Sequence, residues 1–252
     1  MAFSWAGDLN GNRMPVVRNF PVAANVYQGQ LLMADISVSG YVKPIAAAAA
    51  GPDTASQILG ICIGITTSPS FDSTYKGDLG TYDVTNATLQ ANDPIGPCLA
   101  QVALVTPTTL IRGPVVKDTI GTNPERKACT TGSSGLTFVV ATIDTTVSFY
   151  STAYCSIGAN RGQYRKITTG GTTTQTVVIP FTYTIATGDT FCIANIVEGK
   201  TKLDVVSTFN GIDSSIPYTS NYYNAYVHQL NLEEAGKEYA IFTLDGAHLV
   251  IG

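Results

Sequence analysis

Charge is scarce in this chain. Asp, Glu, Lys and Arg make up 13% of its 252 residues, about half the share usual in globular domains. With 14 basic against 18 acidic residues the formal net charge is −4, so the basic field that general nucleic-acid binding needs is missing. Histidine is scarcer still: His228 and His248 are the two present, in neither HxH nor HExxH spacing, which argues against a histidine-built metal site. Five cysteines, Cys62, Cys98, Cys129, Cys155 and Cys192, include no CxxC pair. An odd count at wide spacing favours neither a disulfide framework nor zinc. Their apolar surroundings ("ICIG", "PCLA", "YCSIG", "FCIAN") read as small buried hydrophobes kept reduced. No apolar run approaches the roughly 20 residues that cross a bilayer. The opening "MAFSWAGDLNGNRMPVV" lacks the basic start and apolar stretch of a secretory leader. The expectation is a soluble chain with no membrane partner that folds in a cytosol.

The groupings that catalysis needs are missing as well. "TGSSGL" at 131–136 lacks the GxSxG pattern and its strand–turn–helix setting, so Ser133 and Ser134 read as loop residues. Asp72, Asp78, Asp83 and Asp93 fall in a polar stretch rich in Gly and Pro, where aspartates make turns, and no DxDxDG calcium loop is present. A pairing of Cys155 with His228 in space stays open. No catalytic, cofactor-binding or metal-ligating residue is expected, no cofactor is implied, and the chain does not read as an enzyme.

What the chain does hold is short β-prone runs between turns. "VYQGQLLMADI", "YVKPIAAAAA", "QILGICIGIT", "GPCLAQVALVT", "LTFVVATID" and "TTTQTVVIPFTYTI" are apolar or alternating and bounded by Gly, Pro, Asp or Ser. Gly170-Gly171 and Asp245-Gly246 are hairpin-turn signals. Helical periodicity is weak throughout. Ala46–Ala50 is under two turns long between Pro44 and Gly51-Pro52, and "LNLEEAGKEY" offers at most a short helical turn. The fold class is all-β: a small β-barrel module over 26–112, a second β-sandwich or barrel-like module over 113–210, and C-terminal strands over 211–252 that return to the first module. Residues 1–25, punctuated by Gly7, Gly11, Pro15 and Pro21, read as an extended N-terminal arm. Its Phe3, Trp5, Val16, Val17 and Phe20 are a costly apolar load to leave in water, and so are candidate contacts with a neighbouring subunit.

Two stretches carry a resemblance. "GQLLMADISVSGYVKPIAAAAAGPDTASQILGICIGI" resembles the N-terminal module of tailed-bacteriophage head decoration, or cement, proteins: a V-x-x-G-x-L strand, a G-x-V-x-P hairpin and an I-L-G-V-A/C strand. "GANRGQYRKIT…VVIPFTYTIATGDTF" is similar to a virion-protein segment of the form N-x-G-x-Y/W-R-x-I, then P-F-x-x-x-x-A-x-G-D-x-F. Together they cover about a third of the chain, and the long excursion at 66–94 departs from the pattern. The resemblance implies a structural virion protein made in the host cytoplasm. It would sit on the capsid exterior, partnered by the major capsid protein and by itself as a homotrimer. Arg161, Arg165 and Lys166 then read as a β-segment facing a subunit contact rather than as a phosphate loop, which would need a helix N-terminus. Tyr222 and Tyr223 read as interface anchors. Other readings are a tail, baseplate or head-fibre component, or a carbohydrate-binding β-sandwich adhesin stacking sugars on Tyr218, Tyr222, Tyr223 and Tyr226. A hydrolase whose site assembles from distant residues ranks last.

Overall fold

Strands that are apolar on both faces have to be covered on both faces, and that requirement organises this molecule. The computed structural model describes residues 2–22, 26–35, 40–45, 57–66, 81–82, 99–117, 123–132, 134–143, 147, 150–206, 211–215 and 223–250. The alanine run at 46–50, Asp72, Asp78, Asp83, Asp93, Cys98, Ser133, Tyr218 and Tyr222 lie outside them. Among the described residues there are strands and one 3₁₀ turn, Gly246–His248, and no α-helix. The protein is all-β.

Three closed or nearly closed sheets account for almost all of it. The first joins β2 (Val17–Pro21), β8 (Leu99–Leu104), β6 (Ile58–Thr66), β4 (Leu31–Ala34) and β5 (Val42–Pro44) in that order. A parallel bridge from Val22 to Val42 brings its two edges together. A short pair, β3 (Val26–Tyr27) with β7 (Thr81–Tyr82), lies beside it. The second sheet runs β9 (Thr109–Val116), β17 (Gly211–Asp213), β16 (Gly199–Val206), β18 (Tyr223–Asn231) and β19 (Tyr239–Leu244). Because β19 pairs back onto β9, it closes into a five-stranded barrel. The strand β1 (Ser4–Asp8) is added along the first half of β9. The third is a closed six-stranded barrel of β10 (Arg126–Thr131), β11 (Thr137–Val140), β14 (Thr174–Val177), β13 (Tyr164–Gly170), β12 (Thr152–Ile157) and β15 (Thr190–Ala194). Closure of the second and third removes their sheet edges, which matters for a chain with few charges to protect them.

The pleat divides each strand between two interiors. On β4, Leu32 enters the first barrel's core with Val42, Leu59, Cys62 and Val102, while Leu31 and Met33 face a central cluster. On β12 and β15, Ala153, Cys155, Phe191 and Ile193 fill the third barrel, while Tyr154, Cys192 and Ala194 turn outward to that same cluster. The cluster is completed by the second barrel's own interior, including Leu203, Val205, Tyr223, Val227, Phe242 and Leu244. All three barrels therefore meet in one apolar mass. Polar bonds reinforce the junction between the third and second barrels. Arg126 donates to the Leu232 carbonyl at 2.6 Å and to the buried Glu238 carboxylate at 2.8 Å, and the Leu232 N–H donates to the Tyr164 hydroxyl at 2.9 Å.

Cysteine has a repeated use here. Cys62, Cys129 and Cys155 each sit immediately before a β-bulge. Each thiol donates to the carbonyl two residues on, at 3.5, 3.1 and 3.3 Å. A bulge leaves a ladder group unpaired, and a thiol is a small apolar side chain with a weak donor to spend on it. Burial pushes the thiols of Cys62 and Cys155 up to about 11 and that of Cys192 up to about 12. The four described cysteines are free and buried.

Three expectations need correction. The segment 1–25 is not a detached arm, because β1 and β2 are strands of the chain's own sheets. Phe3 is 3% exposed and stacks edge-on against Phe242 at 6.4 Å. A Cβ at Gly113 would run into the Phe3 ring, so the glycine makes the socket and the aromatic load is covered within the subunit. Strands β18 and β19 join the second barrel rather than returning to the first, which receives from that end a single bridge, Leu249 to Ile58. Asp245-Gly246 opens the 3₁₀ turn instead of a hairpin, with the Asp245 carboxylate capping the Ala247 N–H.

Two outcomes follow from this packing. Phe3→Ala should lower unfolding free energy by about 3–5 kcal/mol in urea denaturation, where a mobile arm would give almost no change. His248 is buried against Tyr223 at 5.4 Å between ring centroids, and burial holds its imidazole below the usual range. The unfolded chain then binds the extra proton first, so stability should hold above pH 6.5 and decline as pH falls below it. Thermal melts from pH 7.5 to 5 should show that slope, and His248→Gln should flatten it.

Candidate interaction surface

The segment "GANRGQYRK" contains a clasp. Asn160, fully buried, accepts from the Tyr183 N–H at 2.8 Å and donates to the Tyr183 carbonyl at 2.9 Å. The Gln163 side-chain oxygen, Oε1, receives the Thr182 N–H at 3.1 Å, the Thr182 hydroxyl at 3.0 Å and Arg165 at 2.7 Å. Arg165 also donates to the Pro180 carbonyl at 3.0 Å and lies 5.2 Å from the Phe181 ring centre. Gly158 has φ +121°, and a Cβ there would overlap the Asp189 carboxylate, which itself accepts from the Ala186 N–H at 3.0 Å. The Asn-x-Gly-Gln-Tyr-Arg run and the Pro-Phe…Gly-Asp-Thr-Phe run are thus two halves of one fastening at the rim of the third barrel.

This separates the three basic residues. Arg165 is a brace within the subunit. Arg161 is exposed beside Tyr154, Glu233 and Glu234 at the mouth of an open cavity of about 620 Å³. Lys166 is exposed with its ammonium 5.7 Å from the Tyr150 ring centre. They form no common anion site. Tyr223 is 1% exposed inside the second barrel, whereas Tyr226 on the outer face is 51% exposed and tilted against His228. The Cys155 thiol is sealed in the third barrel's core, while His228 lies on β18 bonded to the Thr243 hydroxyl at 3.2 Å, so these two do not pair. Among the described residues, no three His, Cys, Asp or Glu side chains are grouped as metal ligands.

The N-terminal residues divide differently. Phe3 is core, Phe20 packs partly buried against the first barrel, and Trp5 packs partly buried against the central cluster. Val16 and Val17 stay exposed at 61% and 45%. Trp5 and Val16 line a groove of about 580 Å³ with Met14, Pro15, Leu104 and Pro107. Its polar end is a small network. One Asp8 oxygen accepts from the Asn10 N–H at 2.7 Å, the other from the Thr108 hydroxyl at 3.1 Å. Met14, 82% exposed, extends the apolar rim, and Leu9 is a further exposed apolar side chain at 55%. A second exposed apolar strip, Leu136, Val178, Ile179 and Tyr183, borders the clasp. Neither Met14 nor this strip stands out in the sequence, because apolar runs such as 14–17 and 177–181 do not show which of their side chains face the core and which face water.

No protein-family model, curated protein or solved structure matches this chain.

If the clasp carries the rim, Asn160→Ala should cost about 2–4 kcal/mol, through two lost bonds and the unpaired Tyr183 backbone groups. Hydrogen exchange should then accelerate locally over 178–186. Unchanged protection there would exclude the clasp.

Proposed function

We propose that this protein is a structural virion protein that decorates the outer surface of a bacteriophage head and stabilises it through repeated protein–protein contacts. The observation that carries the reading is the exposed apolar groove of Trp5, Met14, Pro15, Val16, Leu104 and Pro107. Apolar side chains gathered at a groove, on a surface short of charge, suit a partner that is another protein. The three welded barrels support the reading as a rigid carrier for such contacts. The two motif stretches that resemble head decoration proteins supply the virion setting, the exterior location, the capsid partner and the trimer.

Decoration of this kind works by number. One subunit burying a Met and a Val gains roughly 1.5–3 kcal/mol per side chain, modest alone. Repeated by symmetry over a shell and within a trimer, the second and third contacts become intramolecular, and the whole binds far more tightly than its parts.

Purified protein should co-sediment with undecorated phage heads. Met14→Asp combined with Val16→Asp should weaken that binding by roughly 10- to 100-fold with unchanged circular dichroism. Val178→Asp on the second exposed strip serves as the comparison. Loss with the strip variant alone moves the capsid contact to the third barrel, and failure of the wild type to bind heads overturns the reading.

A further inference from the structure

The hydrogen-bond phase of β2 leaves one edge of the first barrel open. The Leu104 N–H donates to the Val16 carbonyl at 2.9 Å, and Arg18 and Phe20 continue that phase opposite Val102 and Ala100. Bonded pairs alternate with outward-facing residues along an antiparallel ladder, so Val17, Asn19 and Pro21 direct their backbone groups away from β8. Pro21, which has no N–H, fits that side, and Val22 closes it through its bridge to Val42. Among the described residues, what stays open is the N–H and C=O of Val17 and Asn19, with Val17, Arg18 and Asn19 all exposed.

The charge along the segment that carries this edge is one-sided. Residues 9–34 contain Arg13 and Arg18 and no Asp or Glu, in a chain of net charge −4. The acids that bound the stretch are engaged: Asp8 with Asn10 and Thr108, Asp35 with Lys43 at 3.0 Å. A second copy is a poor occupant, since two-fold antiparallel pairing of β2 with itself sets Arg18 near its own counterpart, and like charges across a ladder repel.

We propose that the open edge of β2 receives an extended strand from a partner protein that carries carboxylates alternating with apolar side chains. Main-chain bonds to Val17 and Asn19 supply the affinity, and Arg13 and Arg18 select the acidic partner. This rests on the reading that the N-terminal face meets another protein, and it names the chemistry of that partner.

The test uses two fluorescein-labelled peptides, one alternating Val with Glu and one alternating Val with Lys, titrated into the full chain and followed by anisotropy. The Glu peptide should bind at least about tenfold more tightly than the Lys peptide, and added salt should narrow the gap. Arg13→Glu with Arg18→Glu should reverse the preference. Asn19→Pro, which removes only an outward N–H, should abolish binding of both peptides with the β spectrum intact. Equal binding, no binding of either peptide, or indifference to the charge swap overturns the proposal. Head binding that persists beside any of those results leaves the decoration reading standing. Peptide selectivity without head binding leaves the edge-strand proposal standing alone.

Discussion

The central apolar cluster is what the rest of the molecule depends on. It is the inside of the second barrel and the outside of the other two. Without it the first barrel would expose Leu31, Met33, Ile58 and Ile61, and the third would expose Tyr154 and Cys192. Burying side chains of this size contributes roughly 1.5–3 kcal/mol each, so separating the barrels would forfeit a large part of a typical folding free energy. Apolar runs such as "ILGIC" follow from this: a strand sandwiched between two cores has no solvent face to mark with polar residues.

Close packing of this kind sets local demands that particular residues meet. Gly60 lies where any Cβ would overlap the Ala103 carbonyl and crowd Val102, so strands β6 and β8 approach there only with glycine. Three of the bulges that bend the strands, those after Cys62, Cys129 and Cys155, are preceded by a thiol aimed at a carbonyl. Glu238, 1% exposed, is held by Arg126 and by the Gly236 N–H at 2.7 Å. A buried ion pair adds little net stability over an apolar substitute, yet removing one partner strands the other charge. It acts as a registration device between barrels.

The surface is shaped by the same economy of charge. The apolar groove beside β1 and the strip beside the clasp occupy different parts of the molecule, one built from the N-terminal segment and the other from the third barrel. The decoration role proposed above would use two such faces to touch two neighbours at once.

Several features were readable in the chain before any geometry. Short β-branched runs between Gly, Pro and Asp gave the all-β class, and wide cysteine spacing in apolar contexts gave buried thiols at the four described positions. Gly170-Gly171 marked the turn between β13 and β14. Those are local facts, decided by backbone sterics and by the company each residue keeps. The fate of the N-terminal apolar residues was not local. Phe3, Trp5 and Val16 are equally hydrophobic, and only the socket at Gly113 and the course of β9 put the first in the core and the last in water. Arg165 read as part of a β-segment facing a subunit contact, yet it, Asn160 and Gln163 bind partners 15 to 23 residues away in the same subunit. Sequence alone determined which segments are strands, because strand propensity and turn chemistry act over a few residues. The tertiary structure decided which strands close on which, which arginine is a brace and which is free, and which apolar side chains remain exposed, because those outcomes depend on groups brought together from distant parts of the chain.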